Sequence, residues 1–92
     1  MKSRSSWTHE VRGDFVLVID QDVGLSVTND AEAVIEDLGA LGVLEGRRVL
    51  YRDTEGSWDE LLHDGPRFVS FAVLRAESAE QAIERARERR HP

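Results

Sequence analysis

A chain of 92 residues with no cysteine, 40% hydrophobic and 33% charged, has material for one domain, since a second would need about 50 more residues to bury a core of its own. Disulfides, thiolate metal sites and cysteine nucleophiles are excluded. The net charge of −6 is unevenly placed, with 14 acids against 6 bases in residues 1–64 and 4 against 6 in residues 65–92; so acidic a body lacks the basic stripe that displaces counterions from a duplex, and direct nucleic-acid binding is disfavoured.

Residues 1–13 are rich in Ser and charge, lack an apolar segment of the kind that targets a chain for secretion, and predict a flexible N-terminus on which only Trp7 can dock. The fold is expected to begin at Asp14, with a single α+β domain over 14–90. Phe15 to Ile19 is a continuous β-branched and aromatic run, the pattern of a central strand or one buried on both faces. It is also the longest apolar run and far too short to span a bilayer, so the expectation is a cytoplasmic protein without membrane contact.

Asp20 to Thr28 predicts a loop or strand extension, with a bulge invited at Gly24. Asn29-Asp30-Ala31-Glu32 fits a capping box, and Ala31, Val34, Ile35 and Leu38 recur at helical spacing, so a helix is expected over 29–41, ended by Gly39 or Gly42. Arg47 to Arg52 and Trp58 to His63 predict the second and third strands. Between them, Asp53-Thr54-Glu55-Gly56 suits a type I turn with a glycine bulge, which sets Arg52 opposite Trp58 and Tyr51 opposite Asp59. A two-residue Glu55-Gly56 loop would instead set Arg52 opposite Asp59. Asp64-Gly65 marks the next turn, and Pro66 is tolerable only at a strand start or a sheet edge.

Arg67 to Leu74 predicts a fourth strand with both faces partly apolar. Ser78-Ala79-Glu80-Gln81 is a second capping box opening a helix to about Arg90, whose inward stripe of Ala79, Ala82, Ile83 and Ala86 is thin. The predicted order is β-α-β-β-β-α: a four-stranded, mostly antiparallel mixed sheet with both helices on one face. Phe15, Leu17, Ile19, Val34, Leu38, Phe68 and Phe71 are its expected core.

Several constellations yield to plainer readings. Asp20-x-Asp22-x-Gly24 starts like a calcium loop but has Leu25 where the turn glycine belongs and Ala31 where the bidentate Glu belongs, so no metal is expected. Gly39, Gly42 and Gly46 have no Lys-Ser/Thr pair behind them and are helix punctuation rather than a phosphate loop. Acids before Arg85, Arg87, Arg89 and Arg90 on the last helix complement its dipole. His63 beside Asp64 and near Glu60 has the elements of an acid–base group, but no nucleophile accompanies it. No cofactor is called for.

The hairpin is where structure alone explains least. Tyr51, Arg52, Asp53, Trp58, Asp59, Glu60 and His63 crowd aromatic, basic and acidic groups together, and Trp and Arg are the side chains most enriched at binding hot spots. SVTNDAE at Ser26–Glu32 and YRDTEGSWDELLHDGPRF at Tyr51–Phe68 resemble a group of small uncharacterised bacterial proteins in which a capped helix leads into Tyr-Arg-Asp and Trp-Asp-Glu-Leu strands and a His-Asp-Gly turn. That resemblance covers about half the chain and implies no activity and no site. The element order from Asn29 to Arg90 is also that of a double-stranded RNA-binding domain, but Ala79 and Glu80 stand where phosphate-gripping lysines belong. The expectation is therefore a non-catalytic protein-interaction or regulatory module using those seven hairpin residues to bind a protein partner, itself included as a homodimer. The alternatives are an acidic nucleic-acid mimic that occupies a basic protein, and a small enzyme or ligand binder centred on His63.

Overall fold

The β-branched run from Phe15 to Ile19 forms an interior strand of a sheet, as its composition suggests. The computed structural model describes residues 7–20, 27–52 and 56–89. Its elements are β1 (Trp7–Arg12), β2 (Phe15–Asp20), α1 (Val27–Leu41), β3 (Arg48–Arg52), β4 (Trp58–Asp64), β5 (Arg67–Ala76) and α2 (Ala79–Arg89). The five strands form one mixed sheet in the order β1-β2-β3-β4-β5. The β2–β3 pair, bridged by α1, is parallel and the other pairs are antiparallel.

The fifth strand corrects the expected four. Residues 7–12, predicted to be a flexible end, pair with β2 along their whole length, Trp7 opposite Asp20 and Arg12 opposite Phe15. Gly13 at φ 61° makes the two-residue turn, with positive φ at the first central position as a type II′ hairpin requires. The alternation Trp7, His9, Val11 against Thr8, Glu10, Arg12 carries this strand, but two of its three inward positions are polar or exposed. Its hydrogen bonds to β2, rather than buried side chains, hold it.

The helices lie on opposite faces of the sheet, which corrects the expected single-face arrangement. Val16 and Val18 of β2, Val49 and Tyr51 of β3 and Leu61 of β4 pack under Ala31, Val34, Ile35 and Leu38 of α1. Phe15 and Leu17 of β2, Leu50 of β3, and Trp58, Leu74 and Ala76 pack under Ala82 and Ala86 of α2. Successive strand residues point to opposite sides, so a strand buried at Phe15, Val16, Leu17 and Val18 alike needs cover on both. The alanine stripe of α2 suits this task, because small side chains let the helix axis approach the sheet. The expected core residues Phe15, Leu17, Val34 and Leu38 are buried, while Ile19, Phe68 and Phe71 pack at the margins.

α1 begins two residues before Asn29, which therefore falls inside its first turn; the Asp20–Thr28 connection lies outside the described residues except at its two ends. The helix ends as a Schellman motif: the Gly42 amide donates to the Gly39 carbonyl at 3.1 Å and the Val43 amide to Leu38 at 3.3 Å, with Gly42 at φ 78°. Gly39 stays helical for a packing reason, since a Cβ there would lie 2.9 Å from the Pro66 side chain. On α2, Ser78 Oγ accepts from the Gln81 amide at 3.1 Å and Gln81 Oε1 reaches back to the Glu77 amide at 2.8 Å, a capping box displaced by one residue on its return arm.

Candidate functional site

The β3–β4 hairpin adopts the first of its two predicted registers. Arg52 lies opposite Trp58, Tyr51 opposite Asp59, Leu50 opposite Glu60 and Val49 opposite Leu61, and Gly56 has the positive φ of 90° that a glycine bulge uses. This register decides which hairpin side chains turn inward.

Three of the six described candidates do, against the expectation of an aromatic and acidic face. Tyr51 is 2% exposed, Trp58 3% and Glu60 3%: Tyr51 belongs to the core under α1 and Trp58 to the core under α2. Arg52 is exposed, Asp59 and His63 are half-buried, and Asp53 lies outside the described residues. The hairpin is thus a hydrogen-bonded lattice with Arg52 at its rim.

Glu60 survives burial by accepting two charge-assisted bonds from Arg48, at 2.7 Å from Nε and 2.8 Å from Nη2. Arg48 precedes by two residues the position opposite Glu60, so both side chains share one face and a long guanidinium reaches the carboxylate diagonally. The remaining nitrogen, Arg48 Nη1, is buried without a hydrogen-bond partner. The Phe15 ring compensates it in part, with the Arg48 guanidinium 5.7 Å from its centroid and that of Arg87 at 5.6 Å. Strand parity places Arg48 and Arg52 alike on the face of Glu60, and the fold brings Arg48 to it; the hot-spot reading overlooks that an arginine on this face can neutralise a buried carboxylate.

His63 serves the chain's own backbone. Its Nδ1 lies 2.8 Å from the Gly65 carbonyl and its Nε2 3.1 Å from the Arg47 carbonyl, so its contacts are not the neighbouring carboxylates. Both partners only accept, so both bonds form together only when each ring nitrogen carries a hydrogen. An open cleft of about 430 Å³ beside it is lined by Gly39, Gly42, Leu44, Gly46 and Pro66 among others. Using His63 as a proton-transfer group there would break one of these two bonds. No group of three or more potential metal ligands occurs among the described residues.

The polar lattice continues into β5, an outer strand. Leu62 opposes Ser70 while His63 opposes Phe68, leaving Val69 extra; Trp58 opposes Ala76 while Asp59 opposes Val73, leaving Leu74 and Arg75 extra. At the second bulge Arg75 takes φ 57°. Asp59 Oδ1 accepts from the Leu74 amide at 3.3 Å, and Arg85 Nη1 donates to the Leu74 and Arg75 carbonyls at 2.8 Å each. Arg85, grouped from sequence with the helix-dipole arginines, is a clamp across the bulge. Nothing in the local sequence foretells this, because the carbonyls it meets are freed only by the bulge.

The side of β5 away from β4 has no neighbouring strand among the described residues. From Phe68 to Leu74 that edge carries no charged residue and no proline. Val69 is 61% and Val73 63% exposed, whereas Phe68 and Phe71 meet edge to face at 5.1 Å beneath the α1 side. No described helix is long and apolar enough to cross a membrane.

No protein-family model, curated protein or solved structure matches this chain.

Proposed function

We propose that this chain is a non-catalytic protein-interaction module whose binding element is the free edge of β5. The supporting observation is an outer strand that runs seven residues, Phe68 to Leu74, without a charge or a proline while exposing Val69 and Val73. An open edge offers a row of backbone donors and acceptors, and proteins that do not use such an edge usually guard it with charge, proline or cover. An extended segment added there gains main-chain hydrogen bonds from the edge and specificity from alternate side chains. The lattice of Arg48, Glu60, Trp58, Asp59 and Arg85 supports this reading in a different way: it holds β4 and β5 rigid, so the edge loses little conformational entropy on binding. Arg52, beside the β3–β4 turn, is the exposed member of the expected binding set among the described residues. The proposed setting is the cytoplasm, since a cysteine-free domain needs no oxidising compartment.

A photo-crosslinking amino acid placed at Val73, and in a second variant at Val11 on β1, tests the proposal in the native cell. A discrete protein adduct from position 73 and none from position 11 is the expected result. Equal adducts from both, or none from either, would remove β5 as the binding element.

A further inference from the structure

Resting on that reading, we infer that the occupant of the β5 edge is an extended segment of another protein, basic where it passes the start of β5 and apolar where it passes Val73. The two halves of that chemistry come from two parts of the edge. From Ser70 to Val73 the strand is regular, with its bulges lying outside this stretch. Phe71 packs at the margin of the core under α1, and Val73, two residues on, stands on the same side of the sheet. The helix leaves this part open: Val73 is 63% exposed and Phe71 half-buried. A strand added along the edge turns alternate side chains to that side, where apolar ones meet Phe71 and Val73 as favourable cross-strand neighbours.

The start of the edge calls for the opposite kind of side chain. Gly39 of α1 backs onto Pro66, and Glu32 and Glu36 lie on the same side of that helix. Together with Pro66, Arg67 and Phe68 the two acids line an open groove of about 270 Å³. Both are exposed, and no ion pair engages either among the described residues, Arg67 included. Two carboxylates against one guanidinium leave the groove anionic. A lysine or arginine entering it gains from both acids and can lay its aliphatic stem along Phe68 while its charge stays in water; an acidic side chain meets repulsion there. Phe68, like Phe71, packs on the α1 side, so the basic and apolar side chains of the occupant project from one face of its strand.

Selection of short random peptides displayed on phage, with the immobilised full chain as bait, tests the inference. Enriched peptides are expected to combine a lysine or arginine with apolar residues at alternate positions. A synthetic peptide of the enriched sequence should bind more weakly as salt rises. It should bind roughly tenfold more weakly to the Glu32→Lys, Glu36→Lys double variant, in which two surface attractions become repulsions, and not detectably to Val73→Lys, with far-ultraviolet circular dichroism unchanged in both. Glu84→Lys with Glu88→Lys makes the same change of net charge on α2, across the sheet, and should leave binding as it was. Enriched peptides without a basic residue, or peptides that lose as much affinity to the α2 variant as to the α1 variant, would overturn the basic segment; if Val73→Lys still abolishes their binding, β5 remains the binding element. A chain that sediments at twice 10.4 kDa and crosslinks to itself from position 73 would put a second copy in place of the foreign segment, again leaving β5 in use. No enrichment, or binding indifferent to Val73→Lys, overturns both.

Discussion

The two outer strands of this sheet solve opposite halves of the same problem. β1 shows its side chains to water and guards its backbone with charge: Glu10 and Arg12 sit along its six residues, Arg12 reaches Glu10 at 3.4 Å and Glu80 of α2 at 3.8 Å, and only Trp7 packs against the core. β5 has ten residues, buries Ala72, Leu74 and Ala76, and has its carbonyls at one bulge capped by Arg85, yet between Phe68 and Leu74 it presents an uncharged edge. An edge strand can therefore be anchored through its side chains while its main chain stays open, or be loosely anchored while its main chain is guarded. The first arrangement suits a rigid docking edge. The second suits a strand that ends a sheet.

That contrast breaks at its strongest point if the anchoring of β4 and β5 proves dispensable. Trp58→Ala removes the largest buried side chain from the core under α2 and is expected to cost about 3–5 kcal/mol in denaturant unfolding. A loss under about 0.5 kcal/mol would mean that Trp58 is not packed as described. Glu60→Leu leaves the Arg48 guanidinium without its carboxylate and should cost about 3 kcal/mol, at the low end for breaking a buried pair because the Arg48 side chain keeps 27% exposure. Adding Arg48→Met to that variant should return most of the loss, as two apolar groups replace the pair; a double variant as unstable as the single would contradict the pairing.

Arg85→Met probes the clamp and is expected to cost about 1–2 kcal/mol, the penalty of carbonyls that lose a charged donor. Amide exchange should then quicken at Leu74 and Ala76 while β1 is unaffected. The smallest expected effect sharpens the comparison most. Val11→Lys on β1 and Val73→Lys on β5 each replace an exposed valine and should change monomer stability by less than about 0.5 kcal/mol, but only the β5 variant should abolish capture of displayed peptides.

Much of this architecture is legible in the residues. The parallel β2–β3 pair around a helical crossover, the antiparallel strands after it, the α2 capping residues and the choice of hairpin register down to two all come from local patterns: a β-branched run, S-x-x-Q spacing, Asp and Gly at fixed turn positions. The hidden strand β1 was less legible because its alternation is weak, although Gly13-Asp14 ahead of Phe15 is itself a two-residue hairpin signal. The candidate site was the least legible part. Trp, Arg and carboxylates on a hairpin fit a binding face and a buried lattice equally well, and composition does not separate the two.

By itself the sequence determined the extended runs of β2 to β5, the helical stripes of α1 and α2, the turns at Asp53–Gly56 and Asp64-Gly65, and that β2 suits an interior or doubly covered strand, while it left residues 7–12 as a flexible end. Only the tertiary structure decided which helix supplies each cover, that Glu60 answers Arg48 rather than Arg52, that Arg85 closes a bulge, and that β5 rather than β1 is the open edge. The physical reason is range. Propensities, caps and turns act within a few residues of chain, whereas burial, ion pairing across strands and the freeing of an edge depend on which distant segments come to lie side by side.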